Sequence, residues 1–118
     1  MASYRTWDIV VVPFPCTDSP NAKAGKVRPA VIVSTDVLSR RNGKYVLAMV
    51  TSTANAAHYG DVAIKDLKAA GLPAASVVRP SKLAVVEDGD IHKRVGTLAL
   101  ADRVRVAKQL REYLAVGE

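Results

Sequence analysis

Arg28 stands directly before Pro29 at the head of an apolar, β-branched run, and this is the most unusual local feature of the chain. Proline disfavours helix in the residue before it, so Arg28 is expected to be extended. A guanidinium held at a strand mouth offers a fixed fork of donors that suits a phosphate. A solvated strand-end arginine is the plainer alternative. Thr51-Ser52-Thr53 closes a later apolar run. Its hydroxyls can hydrogen-bond a phosphate oxygen or a sugar hydroxyl, or simply end a strand in a turn. Arg79 repeats the Arg-Pro pairing with Pro80, and its plainer reading is a surface cation. His58 and His92 are the two histidines, the residue type that titrates nearest neutrality. Two such residues can share acid and base roles in RNA cleavage, or be two loop residues. Tyr59, beside His58, offers a ring for base stacking. Cys16 has no sequence-local histidine to activate it, and no metal-ligand cluster or phosphate-cradling glycine run is visible.

These residues need elements to hold them. Residues 8–14, 28–34 and 45–51 are β-branched apolar runs that read as buried strands, and 61–64 reads as a fourth, short one. Asn42-Gly43, between the second and third runs, is the best hairpin signal. Ser76–Arg79 and Leu83–Val86 read as strands on either side of Pro80, which lacks a ladder donor and should interrupt pairing. Residues 69–73 form a turn around Gly71, and 87–90 an acidic turn. Residues 100–115 carry the one convincing helical pattern, with Val106, Ala107, Leu110, Tyr113 and Leu114 on one face. Several short strands and a C-terminal helix predict a small, partly closed barrel. No strand–helix alternation supports a parallel sheet.

Composition sets the outer bounds. The 118 residues argue for a single domain over 1–118, and an apolar fraction of 49% argues against disorder. One cysteine excludes an intrachain disulfide framework and a multi-cysteine zinc site. There is no apolar run of membrane-spanning length and no signal-peptide pattern at Met1–Arg5, so the expected location is the cytoplasm. The net charge of +6 is uneven. Residues 1–58 hold seven basic and three acidic side chains, 59–91 four and five, and 92–118 six and three. Such a surplus attracts a polyanion, or merely keeps a small domain soluble.

Asp8-Ile-Val-Val-Val-Pro-Phe-Pro15, then Lys26-Val-Arg-Pro-Ala-Val-Ile-Val-Ser34, resembles the MazF/PemK (Kid) family of toxins from toxin–antitoxin modules. The resemblance continues through Val50-Thr-Ser52, Gly71–Val78 and Gly96-Thr-Leu98, in order and over nearly the whole chain. It implies a mainly β, SH3-like, partly open barrel with a C-terminal helix. It also implies a sequence-selective endoribonuclease that needs no metal or other cofactor, forms a homodimer and is neutralised by a cognate antitoxin. On that resemblance Arg28 and Thr51 fall on positions commonly assigned to catalysis, with Ser52 beside Thr51, and Arg79 matches a further basic position used in some members; the residues expected to bind RNA are Ser52, His58, Arg79 and Lys82. Three residues depart from the family pattern: Trp7 in place of a glycine, Ser81 in place of an acidic residue near the site, and Ala99 in place of a helix-capping hydroxyl.

The implied reaction is attack by the RNA 2′-hydroxyl on the adjacent phosphate, leaving a 2′,3′-cyclic phosphate and a 5′-hydroxyl. It requires a base, an acid and a stabiliser of charge on phosphate. Arg28 suits the last role and is a poor base, since arginine stays protonated. His58 is a base only if its loop carries it inward. Two other readings stand beside this one: a barrel that binds RNA or a protein without cleaving, and a gyrase poison on the same fold. The gyrase poisons depend on an aromatic C-terminal tail, whereas this chain ends Leu114-Ala-Val-Gly-Glu118. Loops 16–26 and 53–60 are the expected surface for reading RNA bases.

Overall fold

The computed structural model describes residues 3–14 and 27–116. Six strands, β1 (Asp8–Pro13), β2 (Val27–Ile32), β3 (Lys44–Ser52), β4 (Val62–Ala63), β5 (Ser76–Glu87) and β6 (Lys93–Thr97), form one antiparallel sheet in the order β4-β5-β3-β2-β1-β6. The sheet curls into a half-barrel and carries helix α3 (Leu100–Tyr113). Helices α1 (Asp36–Asn42) and α2 (Leu67–Ala70) occupy two of the connections. The expected mainly β, partly open barrel is the observed fold.

The strands read as continuous apolar runs because the sheet is buried on both faces. Successive side chains on a strand point to opposite sides. Ile9, Val31, Ala48 and Val50 join Val78, Leu98, Val106 and Leu110 in one core. Their neighbours Val10, Ala30, Ile32, Leu47 and Met49 join Phe14, Tyr45 and Ile91 in a second. Each fully buried aliphatic side chain contributes about 1.5–3 kcal/mol.

Local expectations differ from the structure in places: α1 and α2 join the one expected helix, and the two strands expected around Pro80 are the single strand β5. Asn42-Gly43 does not make a hairpin turn. It ends α1, and Gly43 takes the left-handed conformation (φ 66°) as a C-cap, its N–H donating to Ser39 O at 3.0 Å. Strand β6 is not evident in the sequence because Lys93 and Arg94 break any apolar pattern; it pairs with β1. Pro80 does interrupt pairing, as expected. Ala48 pairs with Leu83 and Met49 with Arg79, so residues 80–82 bulge out of one continuous strand.

Trp7 is the one non-glycine with positive φ (73°) among the described residues, where the resembled family has glycine. Its N–H donates to Ile32 O at 2.7 Å, its carbonyl accepts from Leu98 N at 2.9 Å, and its ring packs on the first core. These contacts hold a conformation that costs an L-residue about 1–2 kcal/mol. Ala99 precedes α3 without a side-chain cap, and Asp102 of the first turn is buried. Asp102 accepts from Lys65 N (3.2 Å) and Asp66 N (3.1 Å) and pairs with Arg105, which fastens α3 to the β4–α2 connection.

Candidate functional site

The site begins with a ladder that stops. Ala30 pairs with Met49, Val31 with Ala48 and Ile32 with Leu47, so the register carried one step further puts Pro29 opposite Val50 and then Arg28 opposite Thr51. Val33 N–H donates to Val46 O at 2.9 Å, which means the odd-numbered residues of β2 turn their backbone groups toward β3. Pro29 is the next odd position, and it has no N–H to give Val50. The β2–β3 ladder ends there, while β2 continues against β1 through Val27.

A cleft of about 350 Å³ opens at this end of the ladder. Arg28, Pro29, Thr51, Ser52 and Asn55 line it together with the chain from Leu72 to Ala74. Gly71 sets that last wall. It sits at φ 72°, and a Cβ there would lie 2.0 Å from Val95 O. Arg28 is the only charged side chain among the described lining residues, and none of them is a carboxylate or an imidazole.

Thr51 is almost fully buried. Its Oγ1 accepts a hydrogen bond from Asn55 Nδ2 at 2.7 Å. The turn that brings Asn55 back is closed by Asn55 N–H donating to Ser52 O (3.0 Å) and Ala54 N–H donating to Ser52 Oγ (3.1 Å). Thr51-Ser52-Thr53 therefore both ends a strand in a turn and puts two hydroxyls at the cleft.

The structure brings Arg28, Thr51 and Ser52 together, but not the other three predicted residues. Arg79 is neither a surface cation nor part of the cleft. It is 7% exposed. Its Nε and Nη2 meet Asp61 Oδ1 and Oδ2, each at 3.0 Å, and Nη2 also donates to Ala56 O at 2.9 Å. The hydrogen bonds from Arg79 hold the Asp61 carboxyl below its usual range against the opposing effect of burial, and the same bonds raise Arg79. His58 lies on the exposed loop, tied by its backbone: its N–H donates to Asp61 Oδ2 and its carbonyl accepts from Asp61 N. Its ring is not in the cleft wall, so the loop does not carry it inward as a base. Lys82 sits in the β5 bulge, and Ser81 is exposed beside it. The expected surface at 16–26, with Cys16, lies outside the described residues.

Sequence reading missed Asn55 and the Asp61 fork. Asn55 looks like one more turn residue, and only its side-chain contact separates it from Asn42. A second cleft of about 540 Å³ between residues 3–8, β6 and α3 holds Arg5, Arg94, Arg103 and Asp8. Asp8 accepts from Arg94 Nε (3.0 Å), Thr97 Oγ1 (3.3 Å) and Arg5 N (2.9 Å), bracing β1 against β6. None of the six predicted residues lines it.

Comparison with known proteins gives the same outline. No individually curated protein is significantly similar in sequence. Solved structures match closely in shape. An endoribonuclease in complex with its cognate antitoxin, from a mycobacterial species, superposes with a TM-score of 0.72 at 14% identity, over 98% of this chain and 99% of that one. MazF from Deinococcus radiodurans gives 0.72 at 19% identity over 96% and 97%. Mycobacterium tuberculosis toxin MazF-mt6 gives 0.69 at 18% over 89% and 93%. These likenesses show the fold. The model of the PemK-like, MazF-like toxins of type II toxin–antitoxin systems matches residues 5–114. The chain belongs to that family.

Proposed function

We propose that this chain is a sequence-selective, metal-independent endoribonuclease toxin that cleaves single-stranded RNA at the Arg28–Thr51 cleft. The observation that carries the reading is the convergence of Arg28, Thr51 and Ser52 on one cleft at the end of the β2–β3 ladder. The RNA 2′-hydroxyl attacks the adjacent phosphorus as its proton passes to solvent, and the bond to the 5′-oxygen breaks as that oxygen takes up a proton from solvent. A 2′,3′-cyclic phosphate and a 5′-hydroxyl remain. Arg28 stabilises charge building on the phosphate oxygens and hydrogen-bonds the leaving oxygen. Thr51 and Ser52 donate to the non-bridging oxygens. His58 and Lys82, outside the cleft, make outer contacts to the RNA. Arg79 serves binding indirectly, by holding the 56–61 loop.

The site is completed by partners of two kinds. Leu100 and Val104 lie one turn apart on α3 and are 72% and 61% exposed, which supports a homodimer. The surplus of basic side chains suits an acidic antitoxin segment that orders over the cleft on binding. The mycobacterial endoribonuclease is seen with its cognate antitoxin.

One observation favours a second reading, a barrel that holds RNA without cutting it: no carboxylate or imidazole lines the described cleft. A single experiment separates the two. Purified protein is incubated with a long RNA in EDTA. Discrete fragments with 5′-hydroxyl ends support the nuclease. Bound but intact RNA supports the second reading and overturns the first.

A further inference from the structure

We infer that Asn55 is a positioning residue for Thr51, fixing which way the Thr51 hydroxyl points its hydrogen. The inference rests on the cleft being the RNA-cleaving site. A threonine hydroxyl has one hydrogen and two lone pairs, whereas an amide nitrogen only donates. With Asn55 Nδ2 2.7 Å from Thr51 Oγ1, one lone pair is occupied. The hydrogen is then free for a phosphate oxygen in the cleft. Among the described residues nothing accepts it. Left alone, the hydroxyl would rotate and accept as readily as donate.

The backbone that carries the Asn55 side chain is held from both sides. The Asn55 backbone N–H donates to Ser52 O, and the next residue's carbonyl, Ala56 O, accepts from Arg79. Arg79 in turn is locked on Asp61. A chain of contacts thus runs from a buried ion pair, through one residue of backbone, to a hydroxyl in the cleft. Threonine is stiff about χ1, so fixing its hydrogen completes the preorganisation of the donor. None of this needs Asn55 to touch RNA.

A double-mutant cycle tests the assignment, read as single-turnover cleavage of a long RNA by the full chain. Thr51→Ala is expected to slow cleavage about 10²-fold, as loss of one preorganised donor does. Asn55→Ala is expected to slow it about tenfold or more with an unchanged melting temperature. In the Thr51→Ala background, Asn55→Ala is expected to cost nothing further, because its effect passes through the missing hydroxyl. Equal losses in both backgrounds overturn the assignment and leave the nuclease reading standing. A Thr51→Ala protein that cleaves at full rate overturns the nuclease reading at this cleft instead.

If Asn55→Ala lowers the melting temperature, Asn55→Asp carries the test. A carboxylate at 55 only accepts, so it turns the Thr51 hydrogen away from the cleft. Its rate relative to wild type is expected to be low at neutral pH and to recover as the pH falls through the carboxylate range. That recovery should vanish when Thr51→Ala is added, since charge repulsion alone would survive the loss of the hydroxyl. Recovery unchanged by Thr51→Ala overturns the assignment.

Discussion

Arg79 and Asp61 meet in a two-bond fork, Nε to Oδ1 and Nη2 to Oδ2, both 3.0 Å, with 8% and 10% of their side chains exposed. They join β5 to the loop that follows Asn55, so a buried ion pair stands behind the candidate site. Removing one partner strands the other charge away from water. Asp61→Ala is expected to destabilise the fold by about 3–5 kcal/mol, measured by denaturant unfolding. Within a total stability of about 5–15 kcal/mol this is a large loss. A change within experimental error would mean that the fork contributes no net stability.

The same pair sets an acid limit. Asp61 titrates below its ordinary value of 3.8 in the folded chain. At acid pH the folded state therefore binds fewer protons than the unfolded one, and stability rises with pH there. The contribution is fully present above the unfolded value and is lost as pH falls through the lowered one. The melting temperature is expected to fall steeply below about pH 4. Asp61→Asn should flatten that slope.

Pro29 lies where the β2–β3 ladder stops and lines the cleft. Pro29→Ala restores the N–H that Val50 O lacks, which should extend the β2–β3 ladder by one pair and draw Arg28 toward Thr51. The regained hydrogen bond, about 0.5–1.5 kcal/mol, and the lost stiffening of the unfolded chain, about 0.4–1 kcal/mol, nearly offset. Stability is therefore expected to be nearly unchanged while cleavage falls by up to about 10²-fold. Hydrogen exchange supplies the check: the new amide at 29 should be protected.

Gly71 and Gly43 share a left-handed backbone but not a neighbourhood. A Cβ on Gly43 meets nothing within 4 Å, whereas one on Gly71 runs into Val95 O. Gly43→Ala is expected to cost about 1–2 kcal/mol. Gly71→Ala should cost more, and it should also displace the Leu72–Ala74 wall. Comparing the two variants by thermal melting and by RNA cleavage separates backbone strain from site geometry.

The legible part of the fold came from one physical fact. Residues such as Ile9 and Val10 feed two different cores, so β1 to β3 appear as unbroken apolar runs. Arg28-Pro29 marked the mouth of the cleft because proline acts locally on its predecessor and on the ladder. What was not legible depends on distant contacts. Strand β6 is held by pairing with β1 despite its charges. Asp36–Asn42 became a helix where Asn42-Gly43 suggested a turn, since the same glycine conformation serves both. Arg79 looked like a free cation because Asp61, its partner, lies 18 residues away. Asn55 carried no signal beyond that of a turn residue.

His58 offers a further check on the mechanism. Its ring is not part of the cleft wall, so His58→Ala should slow cleavage by a factor of only about two, as for a surface substitution. The pH–rate profile of the wild type should show no inflection that this substitution removes. Loss of cleavage in His58→Ala would place the base on the loop.

The central claim is that Arg28, facing Thr51 where the ladder stops, stabilises the reacting phosphate. The most direct measurement is the single-turnover rate of RNA cleavage by Arg28→Ala beside wild type, in EDTA, with melting temperatures matched. A loss of about 10²–10³-fold is expected in a protein that still folds. A folded Arg28→Ala protein that cleaves RNA at the wild-type rate would contradict that claim.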